Sequence, residues 1–116
     1  MKIRIKDNSI RLRLTQSEVN QLGEIGIVKC TTEFVNHPFI YEIESAEIAD
    51  LSAEFIENRI LVRMPENLVD KWVSTDKVGY AGQSGLVKIL VEKDFVCIDN
   101  TDEDQTDNFP NPNIKC

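Results

Sequence analysis

Isoleucines at positions 3 and 5 alternate with Lys2, Arg4 and Lys6, and after Asp7, Asn8 and Ser9 the alternation resumes from Ile10 to Leu14 around Arg11 and Arg13. A period of two predicts half-buried strands, and the polar break between the two runs predicts a hairpin. Thr15 and Glu18 follow, just ahead of Val19 and Leu22. That is the spacing of a capping box: the threonine oxygen accepts a free backbone N–H while the glutamate reaches back to the cap residue. A short helix burying Val19 and Leu22 is predicted there, with Gly23 as its stop. Apolar and β-branched residues from Ile25 to Phe34 predict a third strand, Asn36, His37 and Pro38 a turn, and Phe39 to Ile43 a fourth strand.

The same pattern then recurs at an offset of fifty residues, without a gap. Ile3, Ile5, Ile10, Leu12, Leu14, Val19, Leu22 and Val28 fall on Ala53, Phe55, Ile60, Val62, Met64, Val69, Trp72 and Val78, and Asn8, Arg13 and Glu42 recur as Asn58, Arg63 and Glu92. Apolar positions that stay in phase over half a chain are what a duplicated supersecondary unit leaves behind. The second half is predicted as strands at Leu51 to Ile56 and Arg59 to Met64, a helix with Pro65 in its first position, and strands at Lys77 to Ala81 and Leu86 to Glu92 across a Gly82 to Gly85 loop. The predicted class is therefore α+β and β-rich: an internally duplicated strand-strand-helix-strand-strand unit forming a small antiparallel barrel or sheet. One domain over residues 1–98 is expected, with halves at about 1–44 and 51–94. Phe95 to Ile98 is expected to add one short strand. Residues 99–116, polar and with two of the four prolines, read as an extended acidic tail.

Charge sharpens this picture. The net charge is -7, but residues 1–14 hold five cations against Asp7, while residues 99–116 hold Asp99, Asp102, Glu103, Asp104 and Asp107 against Lys115. A basic first hairpin and an acidic tail are expected to attract each other, with Phe109 and Ile114 as apolar anchors, and Asp102, Glu103, Asp104, Asp107 and Phe109 are the candidate tail contacts. Overall acidity disfavours non-specific binding to a phosphate backbone. The amino-terminal stretch alternates charge with isoleucine, and no run is long enough to cross a bilayer, so a cytoplasmic protein without membrane contact is expected.

Candidate chemistry is sparse. Cys30, Cys97, Cys116 and His37 comprise every thiol and imidazole, and would make a Cys₃His zinc set only if the fold gathered them; their scattered spacing predicts buried structural thiols at Cys30 and Cys97 and no metal instead. The acidic tail lacks the glycine and terminal glutamate of a calcium loop. Trp72 occupies the position of Leu22 and is predicted as core, His37 as exposed. Gly82 to Gly85 lacks the lysine and helix of a phosphate loop. No catalytic set and no cofactor are expected.

The order of elements, with proline opening the helix in Arg59-Ile60-Leu61-Val62-Arg63-Met64-Pro65-Glu66, resembles the swapped-hairpin AbrB-type repeat and the wider cradle-loop barrels. That resemblance implies two interlocked units, here in one chain, and DNA binding through cations at the first hairpin, corresponding to Lys2, Arg4, Lys6, Arg11 and Arg13. The second half departs from it with Ser52, Glu54, Ile56, Leu61 and Arg63. A symmetric basic surface cannot form, so nucleic acid is not the expected partner. In Glu92-Lys93-Asp94-Phe95-Val96-Cys97, Glu103-Asp104, Asp107, Phe109-Pro110-Asn111-Pro112 and Cys116, the chain is also similar to a small uncharacterised bacterial family, which implies a bacterial cytosolic origin and no assigned activity. The expected function is a non-enzymatic binding or interaction module with a protein partner, its basic hairpin cations forming the partner or anion surface. The alternatives are an AbrB-like DNA-binding regulator and a metal- or thiol-dependent enzyme using Cys97, Cys116 and the tail carboxylates.

Overall fold

The computed structural model describes residues 1–95 and 106–110. Each half is strand, strand, helix, strand, strand: β1 (Lys2–Lys6), β2 (Ser9–Leu14), α1 (Gln16–Glu24), β3 (Ile27–Glu33) and β4 (Pro38–Ala46), then β5 (Ser52–Ile56), β6 (Arg59–Pro65), α2 (Glu66–Ser74), β7 (Gly79–Ser84) and β8 (Val87–Lys93). The fifty-residue offset carries α1 onto α2 and reproduces the hairpin registers, Ile3 opposite Leu12 and Ala53 opposite Val62, Lys29 opposite Glu42 and Gly79 opposite Glu92.

The halves do not fold side by side. Hairpin β1-β2 joins hairpin β7-β8 in one sheet, ordered β1-β2-β8-β7, and hairpin β3-β4 joins β5-β6 in the other, ordered β3-β4-β6-β5. Each sheet thus takes one hairpin from each half. The class is α+β and strand-rich, but the antiparallel pairing expected throughout needs correction at the two joins, where β2 runs parallel to β8 and β4 parallel to β6. Alternation fixes which side of a strand is buried and carries no information about the direction of its neighbour.

The joins also break the internal symmetry. Ser9 stands opposite Lys88 in the first sheet, so the offset would place Arg59 opposite Pro38 in the second, yet Arg59 stands opposite Ile40. Lys88 donates its N–H to the Asn8 carbonyl at 2.8 Å, a bond Pro38 has no N–H to make, and Ile40 donates to the Asn58 carbonyl at 3.2 Å in its place. A slip of two residues keeps each side chain on its own face, whereas a slip of one would have turned the core outward.

The core lies between the sheets and under the helices. Leu12, Leu14, Val19 and Leu22 are buried, as are their counterparts Val62, Met64, Val69 and Trp72. Trp72 fills the place of Leu22 and donates its indole N–H to the Val78 carbonyl at 3.0 Å, so the larger ring carries its polar atom without an orphaned donor. Position 43 and its equivalent 93 diverge: Ile43 is fully buried, while Lys93 is nearly so and sends its ammonium to the Thr75 carbonyl at 2.8 Å, just past the end of α2. Burial lowers the pKa of this lysine.

Three local expectations are corrected. α1 begins with the predicted capping box at Thr15 and Glu18 but continues through Gly23 to Glu24, and the left-handed residue beyond it is Gly26, at φ 92°. Pro65 is the N-cap of α2 and not its first helical residue; its ψ of 135° still belongs to β6, where it pairs with Ala46. The Gly82 to Ser84 stretch is strand, and the turn is Gly85 and Leu86 alone, between Ser84 and Val87. The Phe95 to Ile98 strand falls on described residues only at Phe95, which bridges to Phe109. No helix among the described residues is long and apolar enough to cross a membrane.

Candidate functional site

Alternation along β1 and β2 points Ile3, Ile10, Leu12 and Leu14 toward the core, with Ile5 on the same side of β1 but exposed near its end, so the cations between them share the outer face of the first sheet. The sequence-predicted residues Lys2, Arg4, Lys6, Arg11 and Arg13 are therefore brought together. The parallel join adds Lys88, Leu90 and Glu92 of β8, and Ala81 and Gln83 follow on β7. Across the sheet the rows read Lys6, Ser9, Lys88, Gln83, then Arg4, Arg11, Leu90, Ala81, then Lys2, Arg13, Glu92, Gly79.

Six cations on this face meet two carboxylates, a net of +4. Glu92 is shared by Arg11 at 3.3 Å and Arg13 at 3.2 Å, and Asp94, just past β8, holds Lys2 at 3.1 Å. Arg4, Lys6 and Lys88 make no ion pair among the described residues. Arg4 and Arg11 are direct cross-strand partners, a like-charge pairing that costs stability. Two adjoining depressions mark the face, one of about 220 Å³ between Arg4, Lys6, Ser9 and Arg11, the other of about 530 Å³ reaching from Ser9 and Arg11 across Lys88 and Leu90 to Ala81 and Gln83. Together they form a shallow trough running across all four strands.

The second sheet is an internal control, because the duplicated unit puts its own outer face in the same position. There Arg63 is held by Glu44 at 2.9 Å and by Glu54 at 3.1 Å, and Arg59 meets Glu42 at 3.1 Å. With Lys29 and Glu33 the face carries three cations against four carboxylates. Leu61, the counterpart of Arg11, is buried beneath them. One fold unit therefore builds a self-neutralised face in one sheet and an uncompensated cationic face in the other.

The described part of the tail lies at the start of α1. The Gln16 N–H donates to the Asp107 carbonyl at 3.0 Å, the Gln16 amide donates to the Asn108 carbonyl at 2.9 Å, and the Asp107 carboxylate accepts from the Ser17 N–H at 3.3 Å and from the Ser17 hydroxyl. Hydrogen bonds from Ser17 first and Thr15 next lower the Asp107 pKa, as expected for an anion held at a helix N-terminus. Phe109 donates its N–H to the Asp94 carbonyl at 2.8 Å, packs on Phe95 with ring centroids 5.8 Å apart, and lies under the Lys93 ammonium at 5.1 Å. Asp102, Glu103 and Asp104 lie outside the described residues, as do Cys97, Cys116 and Ile114.

Cys30 is partly buried on β3, its thiol 3.8 Å from the Met1 carbonyl, which also accepts from the Tyr41 hydroxyl at 2.8 Å. The Met1 ammonium pairs with Glu18, the same carboxylate that completes the α1 cap. Burial pulls the pKa of that ammonium down but is outweighed by Glu18 and Cys30, which raise it; burial, and then Cys30, raises the Tyr41 phenol. His37 is exposed in the β3-β4 turn and does not join Cys30. Among the described residues no three of His, Cys, Asp and Glu are grouped so as to hold a metal ion.

Lys88, Leu90, Glu92 and Ala81 were not legible as members of this surface. Their alternation marks them as the outer side of two strands, but only the parallel join of β2 to β8 sets them beside the first hairpin. The chain belongs to DUF7009, a family of unknown function, whose model matches residues 1–113. No curated protein and no solved structure matches it.

Proposed function

We propose that the chain is a small cytosolic, non-enzymatic interaction module that takes an acidic protein partner on the outer face of the β1-β2-β8-β7 sheet. One observation carries this reading: the duplicated unit leaves +4 uncompensated on this face, while the equivalent face is laced by its own ion pairs. Cross-strand repulsion between Arg4 and Arg11 is tolerated where the same fold position can hold Glu54 opposite Leu61. Retaining that cost is reasonable where an external anion offsets it. Charged faces of this kind speed encounter with an oppositely charged partner and select against like-charged ones.

The test is binding of a labelled glutamate-rich peptide, followed by fluorescence anisotropy at low and moderate salt. Arg4→Glu and Lys88→Glu weaken binding, while Lys29→Glu on the other sheet leaves it unchanged. Absence of binding, or equal loss from reversals on either sheet, overturns the proposal. A DNA duplex bound more tightly than the peptide, with a steep salt dependence, would replace it with the nucleic-acid alternative.

A further inference from the structure

The trough holds more than charge. Leu90 projects on the outer face between Arg11 and Ala81, half-buried in a row whose other members are cationic or small, and the single methyl of exposed Ala81 leaves a hollow beside it. The larger depression, about 530 Å³, is floored by Leu90 and Ala81 and rimmed by Ser9, Arg11, Gln83 and Lys88. That is ample room for one aliphatic or aromatic side chain within a ring of donors.

Four strands at about 4.8 Å spacing put the Arg4 end of the trough roughly 14 Å from the Ala81 end. An extended polypeptide at about 3.3 Å per residue crosses that distance with four to five residues. We propose that the trough is a subsite for an extended acidic peptide segment that lays its carboxylates against Arg4, Arg11 and Lys88 and seats one apolar side chain over Leu90 and Ala81. This rests on the reading of the basic face as the partner surface and adds the chemistry of the occupant.

Two features favour a peptide over a phosphodiester. Leu90 and Ala81 give nothing to a phosphate but release water when an apolar side chain covers them. The chain's net charge of -7, set against +4 on this face, leaves an excess of eleven negative charges elsewhere, which a short segment avoids and a long polyanion meets.

The test compares two short peptides by anisotropy, one with glutamates flanking a single leucine and one with serine in its place, on the full chain and on Ala81→Phe. Ala81 is exposed on a strand and phenylalanine suits strands, so this variant is expected to fold, which circular dichroism and thermal melting verify. The leucine peptide is expected to bind about tenfold more tightly than the serine peptide, the order expected for seating one aliphatic side chain less its ordering cost. Ala81→Phe fills the hollow and removes that advantage without weakening the serine peptide. Equal affinities for the two peptides, or an unchanged leucine advantage in Ala81→Phe, overturn the apolar seat while leaving the basic-face reading intact provided Lys88→Glu still weakens both. Insensitivity of both peptides to Lys88→Glu overturns the seat and the basic-face reading together.

Discussion

Gly23 and Val73 are the same position in the two halves, and they face each other: a Cβ built on Gly23 would stand 2.8 Å from Cγ2 of Val73. The two helices therefore meet at their own equivalent residues, and the internal symmetry is broken there because two β-branched side chains do not fit. Gly23→Val is expected to destabilise the fold by roughly 1–3 kcal/mol through overpacking. The exchanged pair Gly23→Val with Val73→Gly keeps one glycine and one valine at the crossing and is expected to recover most of the loss. Urea unfolding of both variants checks this, and a double variant no more stable than the single one would refute the contact.

Gly23 also shows where legibility in the sequence ends. A glycine after an amphipathic run reads as a helix stop, but its lack of a side chain here serves a neighbour fifty positions away, and no local pattern encodes that neighbour. The Thr15 and Glu18 cap was legible because both partners sit within one turn. Leu22 and Trp72 were legible as equivalent core because periodicity reports burial directly. The basic half of the candidate surface was legible for the same reason, since β1 and β2 carry it on one hairpin. Its other half waited on the β2 to β8 join, and the place of Asp107 on α1 waited on a contact across ninety residues of chain.

The β5-β6 turn carries a removable strain. Glu57 and Asn58 both have positive φ, 46° and 64°, the geometry of a type I′ turn. Asparagine tolerates the left-handed region, whereas glutamate pays about 1 kcal/mol there. Glu57→Gly removes that cost and gives back part of it as added unfolded-state entropy, for a net gain of a few tenths to about 1 kcal/mol. A thermal midpoint lower than that of the parent would mean that Glu57 makes a compensating contact.

The Asp107 carboxylate ties the tail to α1, and its lowered pKa gives the link a pH dependence. A carboxylate whose pKa is lower folded than unfolded adds stability above the ordinary aspartate value of about 3.9, and that addition is lost as pH falls through the folded value. Asp107→Asn is therefore expected to melt lower than the parent near neutrality and to converge with it in acid. A gap between the two that stays constant down to acid pH would show that the charge of Asp107 contributes nothing to the link.

Arg4 offers a test of the repulsion on the basic face that is independent of any ligand. It stands opposite Arg11, whereas its counterpart Glu54 stands opposite Leu61 and pairs with Arg63. Arg4→Glu turns a like-charge cross-strand pair into an attractive one, so the variant is expected to be more stable than the parent by a few tenths to about 1 kcal/mol at low salt. Screening shortens the reach of exposed charges to about 8 Å at physiological ionic strength and to about 3 Å at 1 M, so the gain should shrink as salt is added. A residue that weakens the fold and strengthens binding is the signature of a surface shaped by its partner, since stability and function compete at such sites. Urea unfolding across a salt series checks the first half of that statement: a variant less stable than the parent, or a gain that does not respond to salt, would mean that Arg4 is held by the fold and not kept for a ligand.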